Sequence, residues 1–360
     1  MGWSCGLSNE RIPLIFNLAK QKKLSIFQLM KLPFITQCLI EVAPQIGAQV
    51  IPEPEYGFVG QIIFKNGEQS LFKGSFFGLN SNGASKISSD KGYSYYFLKK
   101  MGFSIPETET FFSAALNEKL TIKRGIEEGY LYAKSLGLPV IIKPNEESWG
   151  RDVVKVHNKR DFFKFAKTIL AYSRVFLVQA FCVGKDYRIV VLADKVYCAY
   201  ERMPLSIVGD GKATIEALLL EKQAAFDKAG RLSIIDLADP RMLNKLKRKG
   251  LTLTSILPKA KKITLLDNAN LSNGGMAIDW SDKIHPSYKK LAINITKAMG
   301  LRLCGVDIIT ADISKPVDQY HIIEINSAPG LHNYAAMGEA QLATTKELYL
   351  DILRILEQET

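Results

Sequence analysis

Leu303-Cys304-Gly305-Val306-Asp307-Ile308-Ile309-Thr310, then Tyr320-His321-Ile322-Ile323-Glu324-Ile325-Asn326-Ser327-Ala328-Pro329-Gly330, reads as two strands around a polar turn. Both runs are rich in β-branched residues, and an acid interrupts each of them. Side chains alternate across a strand, so Glu324 and Asn326 share one face. If the two strands pair, that face presents Asp307, Glu324 and Asn326 together: two carboxylates and an amide. Oxygen donors of this kind suit Mg²⁺. A solvated face of an antiparallel sheet carries such residues too, but the apolar neighbours of each acid weaken that reading.

Working outward, Pro286 to Met299 reads as a helix with proline in its first turn. Asp186 to Ala193 and Val196 to Met203 read as a hairpin around Asp194-Lys195. Helices are expected at Thr214 to Ala229, Arg241 to Lys249 and Gly338 to Leu356. Further upstream, Pro139 to Pro144, Val153 to Val156 and Val175 to Ala180 read as short strands. Helices are expected at Asp90 to Met101, Ile122 to Ser135 and Asp161 to Tyr172. Ile62-Ile63-Phe64 and Ser70-Leu71-Phe72 flank Asn66-Gly67, a hairpin signal, and Gly78 to Ser89 reads as a loop. Pro13 and Pro33 interrupt a largely apolar and basic run before a linker marked by Pro44, Pro52 and Pro54. Helices and hairpins mix without strict βαβ alternation, so the fold class expected is α+β. Lys143 ends an apolar strand before the polar loop Asn145 to Asp152, where Gly150 and backbone N–H groups suit a phosphate.

Composition sets the outer limits. The chain has 360 residues and 47% hydrophobic content, which is globular and long enough for two or three lobes. Its net charge of +11 suits anionic partners, yet no zinc-finger spacing or RNP1-like run points to nucleic acid. Five scattered cysteines without C-x-x-C suit reduced thiols and a cytoplasmic location. No apolar run approaches the ~20 residues of a membrane helix. The start, Met1-Gly2-Trp3-Ser4-Cys5-Gly6, has neither a signal-peptide pattern nor the Ser or Thr of a myristoylation site.

An ordered set of motifs carries a resemblance. Asp90-Lys91, Pro139 to Pro144, Gly184-Lys185-Asp186-Tyr187-Arg188, Gly305-Val306-Asp307 and Glu324 to Gly330 resemble the ATP-grasp carboxylate–amine ligases in order and spacing. Arg202-Met203-Pro204, Val208-Gly209-Asp210-Gly211-Lys212-Ala213-Thr214-Ile215, Asn270 to Gly275 and Ile284-His285-Pro286 make the chain similar to the ATP-grasp module of cyanophycin synthetases. The resemblance spans roughly residues 60–360 and implies an ATP-grasp fold, two α+β lobes clasping ATP. The divisions expected are an N-terminal segment 1–88 (helices plus a hairpin), a central lobe 89–182 with the phosphate loop, and a C-terminal lobe 183–360 with the metal-binding strands.

The resemblance also implies roles. Lys91, Lys143 and Gly150 match nucleotide-binding positions. Gln179, Ala180, Phe181 and Cys182 match the hinge that reads adenine, and Asp186 matches the acid on ribose. Arg188 and Arg202 match catalytic arginines near the transferred phosphate and the acyl group. Asp307, Glu324 and Asn326 match Mg²⁺ ligands, for which the resemblance implies two ions, with Mn²⁺ able to substitute. Asn273, Gly274, Gly275, Gly330 and His332 match the substrate side. The implied reaction transfers the γ-phosphoryl of ATP to a carboxylate, giving an acylphosphate that an amine converts to an amide, with amino acids or peptides as substrates. The loop Asn145 to Asp152 is the expected lid against hydrolysis. No partner nucleic acid or membrane is expected; a homo-oligomer follows by analogy, with the first segment as an interface. The chain has no G-x-x-x-x-G-K-[ST], so one amide-forming step is implied rather than the two of cyanophycin polymerisation. It departs from the family pattern at Ser94-Tyr95, Trp149, Asp152, Gln179 and Leu331-His332-Asn333-Tyr334. The altered loop motivates an alternative: a nucleotide-binding regulatory protein with the same fold and no turnover.

Overall fold

The computed structural model describes residues 32–147 and 150–359. The expectations made for Met1 to Gly6, Pro13 and Trp149 lie outside these residues.

The described chain begins with helix α1 (Phe34–Val42), which buries Leu39, Ile40 and Val42. An antiparallel sheet follows, β1 (Gln49–Pro52), β2 (Val59–Ile63) and β3 (Gln69–Lys73), in that order. Asn66-Gly67 turns the β2–β3 hairpin as its composition predicts, with Gly67 at φ +89°. Strand β1 was read as linker; it is an edge strand, where Pro52 needs no ladder donor.

Gly78 to Ser89 departs from the loop expected of it. Helix α2 occupies Asn82–Ser89, because Ser81 caps it by accepting from Ala84 N at 3.2 Å and Ser88 Oγ donates back to Ala84 O at 2.7 Å. Helix α3 (Lys91–Lys100) starts where expected, with Asp90 accepting from Tyr93 N at 2.9 Å.

A four-stranded antiparallel sheet comes next. It is built from β4 (Thr108–Phe112), β5 (Val140–Pro144), β6 (Val154–Val156) and β7 (Val175–Ala180), in the order β4-β7-β5-β6. Helices α4 (Ile126–Leu136) and α5 (Lys159–Leu170) pack on it through Ala133, Phe162, Phe165 and Ile169. Strand β4 escapes a periodicity reading because Thr, Glu and Thr precede its two phenylalanines.

The largest sheet holds β8 (Lys185–Leu192) and β9 (Lys195–Met203), with β12 (Met276–Asp279), β13 (Leu303–Thr310) and β14 (Tyr320–Asn326), in the order β12-β9-β8-β13-β14. Between β9 and β12 an inserted unit pairs β10 (Ser206–Val208) with β11 (Lys262–Thr264) and carries helices α6 (Ile215–Lys228) and α7 (Pro240–Arg248) around its own apolar cluster. One face of the large sheet presents Tyr187, Ile189, Ala199, Val306 and Ile308 to helix α8 (Pro286–Ala298) and to Tyr95 and Leu98 of α3. On the other face, Val190, Leu192, Cys198 and Leu303 join a core shared with α1, the first sheet and the C-terminal helix α9 (Glu339–Glu359). Mixed helices and antiparallel sheets make the class α+β, as expected. Among the described residues no helix is long and apolar enough to cross a membrane.

Candidate functional site

The second face of the large sheet turns polar where β8, β9, β13 and β14 run past the shared core. Register explains which residues meet. Asp307 lies directly opposite both Arg188 and Glu324, and Asp186 lies opposite Arg202. Asp186 and Arg188 are two apart, as are Glu324 and Asn326, so alternation places all of them on one face. The two strands that open the sequence argument therefore pair as expected.

The charges interlock. Arg188 meets Asp307 with two parallel bonds, Nε to Oδ1 at 2.6 Å and Nη2 to Oδ2 at 2.7 Å. Arg202 Nη2 lies 2.8 Å from Asp307 Oδ2 and 2.7 Å from Asp186 Oδ1. Asp307 is completely buried. Burial alone would raise its carboxyl; the guanidiniums of Arg188 and Arg202 outweigh it and hold Asp307 below the ordinary carboxylate range. For Asp186 burial prevails: its carboxyl is pushed up, with Arg202 opposing and Asp307 adding to the rise.

Two lysines reach this face from other elements. Lys91, the first residue of α3, places Nζ 3.2 Å from Glu324 Oε1 and donates to Glu147 O at 2.8 Å. Lys143, on β5, is buried and donates to Tyr95 Oη at 2.7 Å and Gln179 Oε1 at 3.0 Å. Burial lowers Lys143 to about 8, although Glu324 pulls the other way. Tyr95 Oη also donates to Ile323 O on β14, so one phenol links the four-stranded sheet to the large one. Its helix neighbours Tyr93 and Tyr96 are exposed, at 65% and 59%, whereas Tyr95 is buried and hydrogen-bonded within the site. Gln179 Nε2 donates to Thr108 Oγ1 at 2.8 Å. Past it, Phe181 is part-exposed under Lys155 Nζ, and burial raises the Cys182 thiol to about 11.

Gly150 adopts φ +67°, and its carbonyl accepts from Arg241 Nη1 at 2.5 Å and Asn268 Nδ2 at 3.3 Å. Arg241 is braced by Asp239 at 2.6 Å. The inserted unit thus grips the polar loop, a contact that sequence spacing could not reveal across 91 and 118 residues. Asp152, the acid that departs from the family's loop, accepts from Tyr172 Oη at 2.6 Å.

The substrate-side residues do not gather at one point. Asn273 lines a cavity of about 440 Å³ between the loop and the inserted unit. Gly274 and Gly275 are required by close packing. A Cβ at Gly274 would sit 2.9 Å from Ile235 Cγ1, and one at Gly275 would sit 2.7 Å from Met203 O. Arg231 Nη2 holds this turn by donating to Gly275 O at 2.7 Å. Gly330 precedes the helical turn His332–Ala335, where burial and Arg231 lower the His332 imidazole.

Chemistry favours a hard cation at the end of this face. Glu324 is the part-exposed carboxylate, and Asn326 stands two residues on, its Oδ1 accepting from Ala328 N at 3.0 Å. These are the oxygen types that Mg²⁺ takes, a few per ion, with water and phosphate completing the shell. Asp307 supplies a second carboxylate and the third oxygen donor, though here both its oxygens face guanidiniums. Among the described residues no three His, Cys, Asp or Glu side chains converge as a metal nest.

Residues 267–346 match the family described as RimK-like ATP-grasp domain. The chain is 32% identical over 265 residues to the glutathione biosynthesis bifunctional protein GshAB of Mannheimia succiniciproducens, covering 70% of this chain and 33% of that protein. It is 33% identical over 231 residues to the cyanophycin synthetase of Trichormus variabilis, covering 62% of this chain and 25% of that protein. The chain thus spans a third or less of the curated relatives it matches. The solved structure of a bifunctional glutathione synthetase from Pasteurella multocida superposes with a TM-score of 0.55 at 27% identity, covering 89% of this chain and 44% of that one.

Proposed function

We propose, from the match of residues 267–346 to the RimK-like ATP-grasp domain, that this chain is an ATP-dependent ligase joining a carboxylate to an amine. The substrates are amino acids or short peptides, and the products are an amide, ADP and phosphate. The observation that supports this most is the charged face of the large sheet, where Asp186, Arg188, Arg202, Asp307, Glu324 and Asn326 stand in register.

In this reading Lys91 and Lys143 neutralise the nucleotide's phosphates, and the Gly150 loop offers them backbone N–H groups. Gln179 to Cys182 line the adenine edge, and Asp186 meets the ribose. Arg188 and Arg202 turn from Asp307 toward the transferred phosphoryl and the acyl oxygen. Phosphoryl transfer asks for positioning and charge neutralisation more than for covalent help, and these groups are of the right types. Glu324, Asn326 and Asp307 would hold Mg²⁺, which when bound supplies charge neutralisation at the phosphates. The lobes divide near residues 88 and 182, and the reduced cysteines suit the cytoplasm.

One observation favours a second reading, nucleotide binding without turnover: both oxygens of Asp307 are closed by arginines. ADP release with ATP, Mg²⁺ and pooled amino acids and short peptides separates the two. The ligase reading expects substrate-stimulated release and a new mass equal to acid plus amine minus water, both lost in Glu324→Gln. ATP binding without stimulation across the pool, unchanged in the variant, would sink it.

A further inference from the structure

The cavity of about 440 Å³ beside the Gly150 loop is left unused by the nucleotide groups, and its size falls in the range of small-molecule sites, about 300–1,000 Å³. Its floor is apolar: Leu205, Met242 and Leu266 line it and are buried. Its rim is charged. Arg241 is engaged by Asp239 at 2.6 Å and by the Gly150 carbonyl, and Arg151 pairs with Glu147 at 3.6 Å. Asp236 is different. It stands exposed at the rim; among the described residues its Oδ1 accepts from the nearby Ala238 N, at 2.8 Å, and no lysine or arginine forms an ion pair with it. The lining acids therefore outnumber the lining cations in a chain whose net charge is +11.

This contrast sorts the two substrates. A carboxylate is drawn to the guanidiniums of the sheet face. An amine arrives at neutral pH as an ammonium, and it needs a carboxylate and a place for its carbon skeleton. We propose that this cavity is the amine-substrate site, with Asp236 pairing with the ammonium and Leu205, Met242 and Leu266 receiving an aliphatic body. The substrate class is a primary amine on an apolar skeleton, such as an amino acid or the N-terminus of a short peptide. This rests on the ligase reading above. In the step it serves, the ammonium loses one proton, its lone pair forms the C–N bond, and the carbon–oxygen bond to phosphate breaks. A second proton leaves as the amide forms, and both pass to phosphate and solvent.

Hydroxylamine tests this, because it is uncharged at neutral pH and captures an acylphosphate without needing an ammonium site. The full chain is assayed with ATP, Mg²⁺ and pooled carboxylates. Hydroxamate is measured with hydroxylamine, and amide is measured with the amino acids that the wild-type chain accepts. In Asp236→Asn, the KM for the amine is expected to rise at least about tenfold, the loss of one charge-assisted hydrogen bond, with hydroxamate formation and the KM for ATP unchanged. Asp236→Lys is expected to abolish amide formation while still giving hydroxamate. An unchanged amine KM in Asp236→Asn, or a matching loss of hydroxamate, would overturn the assignment. Absence of hydroxamate and amide in the wild-type chain would instead overturn the ligase reading and this inference with it.

Discussion

Asp307 sits at the centre of the charged face, and its surroundings define what removing it does. The side chain is fully buried and both oxygens receive guanidinium donors. Asp307→Asn leaves Arg188 and Arg202 short of a counter-charge inside the protein. Breaking one side of a buried ion pair costs about 3–5 kcal/mol, so urea unfolding should show a loss of that size. A surface-like cost below 1 kcal/mol would mean the face is wetter than it looks. Lys143 makes a pH prediction. Burial lowers it to about 8, so above that pH the nucleotide-free protein holds it neutral. A phosphate needs it charged. ATP affinity should fall as pH rises from about 7 to 9, and binding near pH 8 should take up a proton, seen as a buffer-dependent heat in calorimetry. Lys143→Met should abolish that uptake. For the nucleotide-free fold the sign is opposite. Between about pH 8 and the ordinary lysine value of 10.5 the unfolded chain binds the proton that the folded chain lacks, so stability rises with pH.

At the scale of elements, the strands that carry the site are those that were readable in advance. β8, β9, β13 and β14 are long apolar runs with isolated charges, and alternation then says which charges share a face. β10, β11 and β12 have three or four residues each, too few for a period. α2 was misread because serine composition favours loops, while its cap and its serine back-bonds are geometric facts. Of the site, the acids and arginines were legible. Tyr95, Arg241 and Asn268 were not, since their partners lie 48, 91 and 118 residues away. The Gly150 loop gives the prediction at this scale. A Cβ there would lie 2.4 Å from Asn268 Nδ2, on a backbone at φ +67°. Left-handed backbone costs a non-glycine residue about 1–2 kcal/mol. Where the loop relieves this strain by moving from its place, Gly150→Ala should weaken ATP binding about tenfold, with a stability loss no larger than about 1–2 kcal/mol. Unaltered affinity would show that the loop's position is not needed for the nucleotide.

The whole molecule is tied together at the end of the large sheet remote from its charges. There α1, the first sheet and α9 share one core with Leu192, Cys198 and Leu303. Leu353, completely buried in α9, lies in that joint. Leu353→Ala should cost about 2–5 kcal/mol by leaving a cavity, and calorimetry should show one transition shifted as a whole. A second transition appearing at lower temperature would mean that the N-terminal unit melts by itself. The inserted unit is built differently: it has its own core and reaches the polar loop by gripping the carbonyl of Gly150 through Arg241 and Asn268. A carbonyl oxygen is an atom every amino acid carries. The grip reads the main chain and ignores the identity of the side chains around it. The inserted unit's hold is therefore independent of exposed loop side chains such as Arg151, whereas the buried Asn145, which accepts from Gly92 N at 2.9 Å, is fixed by contacts of its own. A saturation library at these three positions should find Asn145 and Gly150 intolerant and Arg151 permissive.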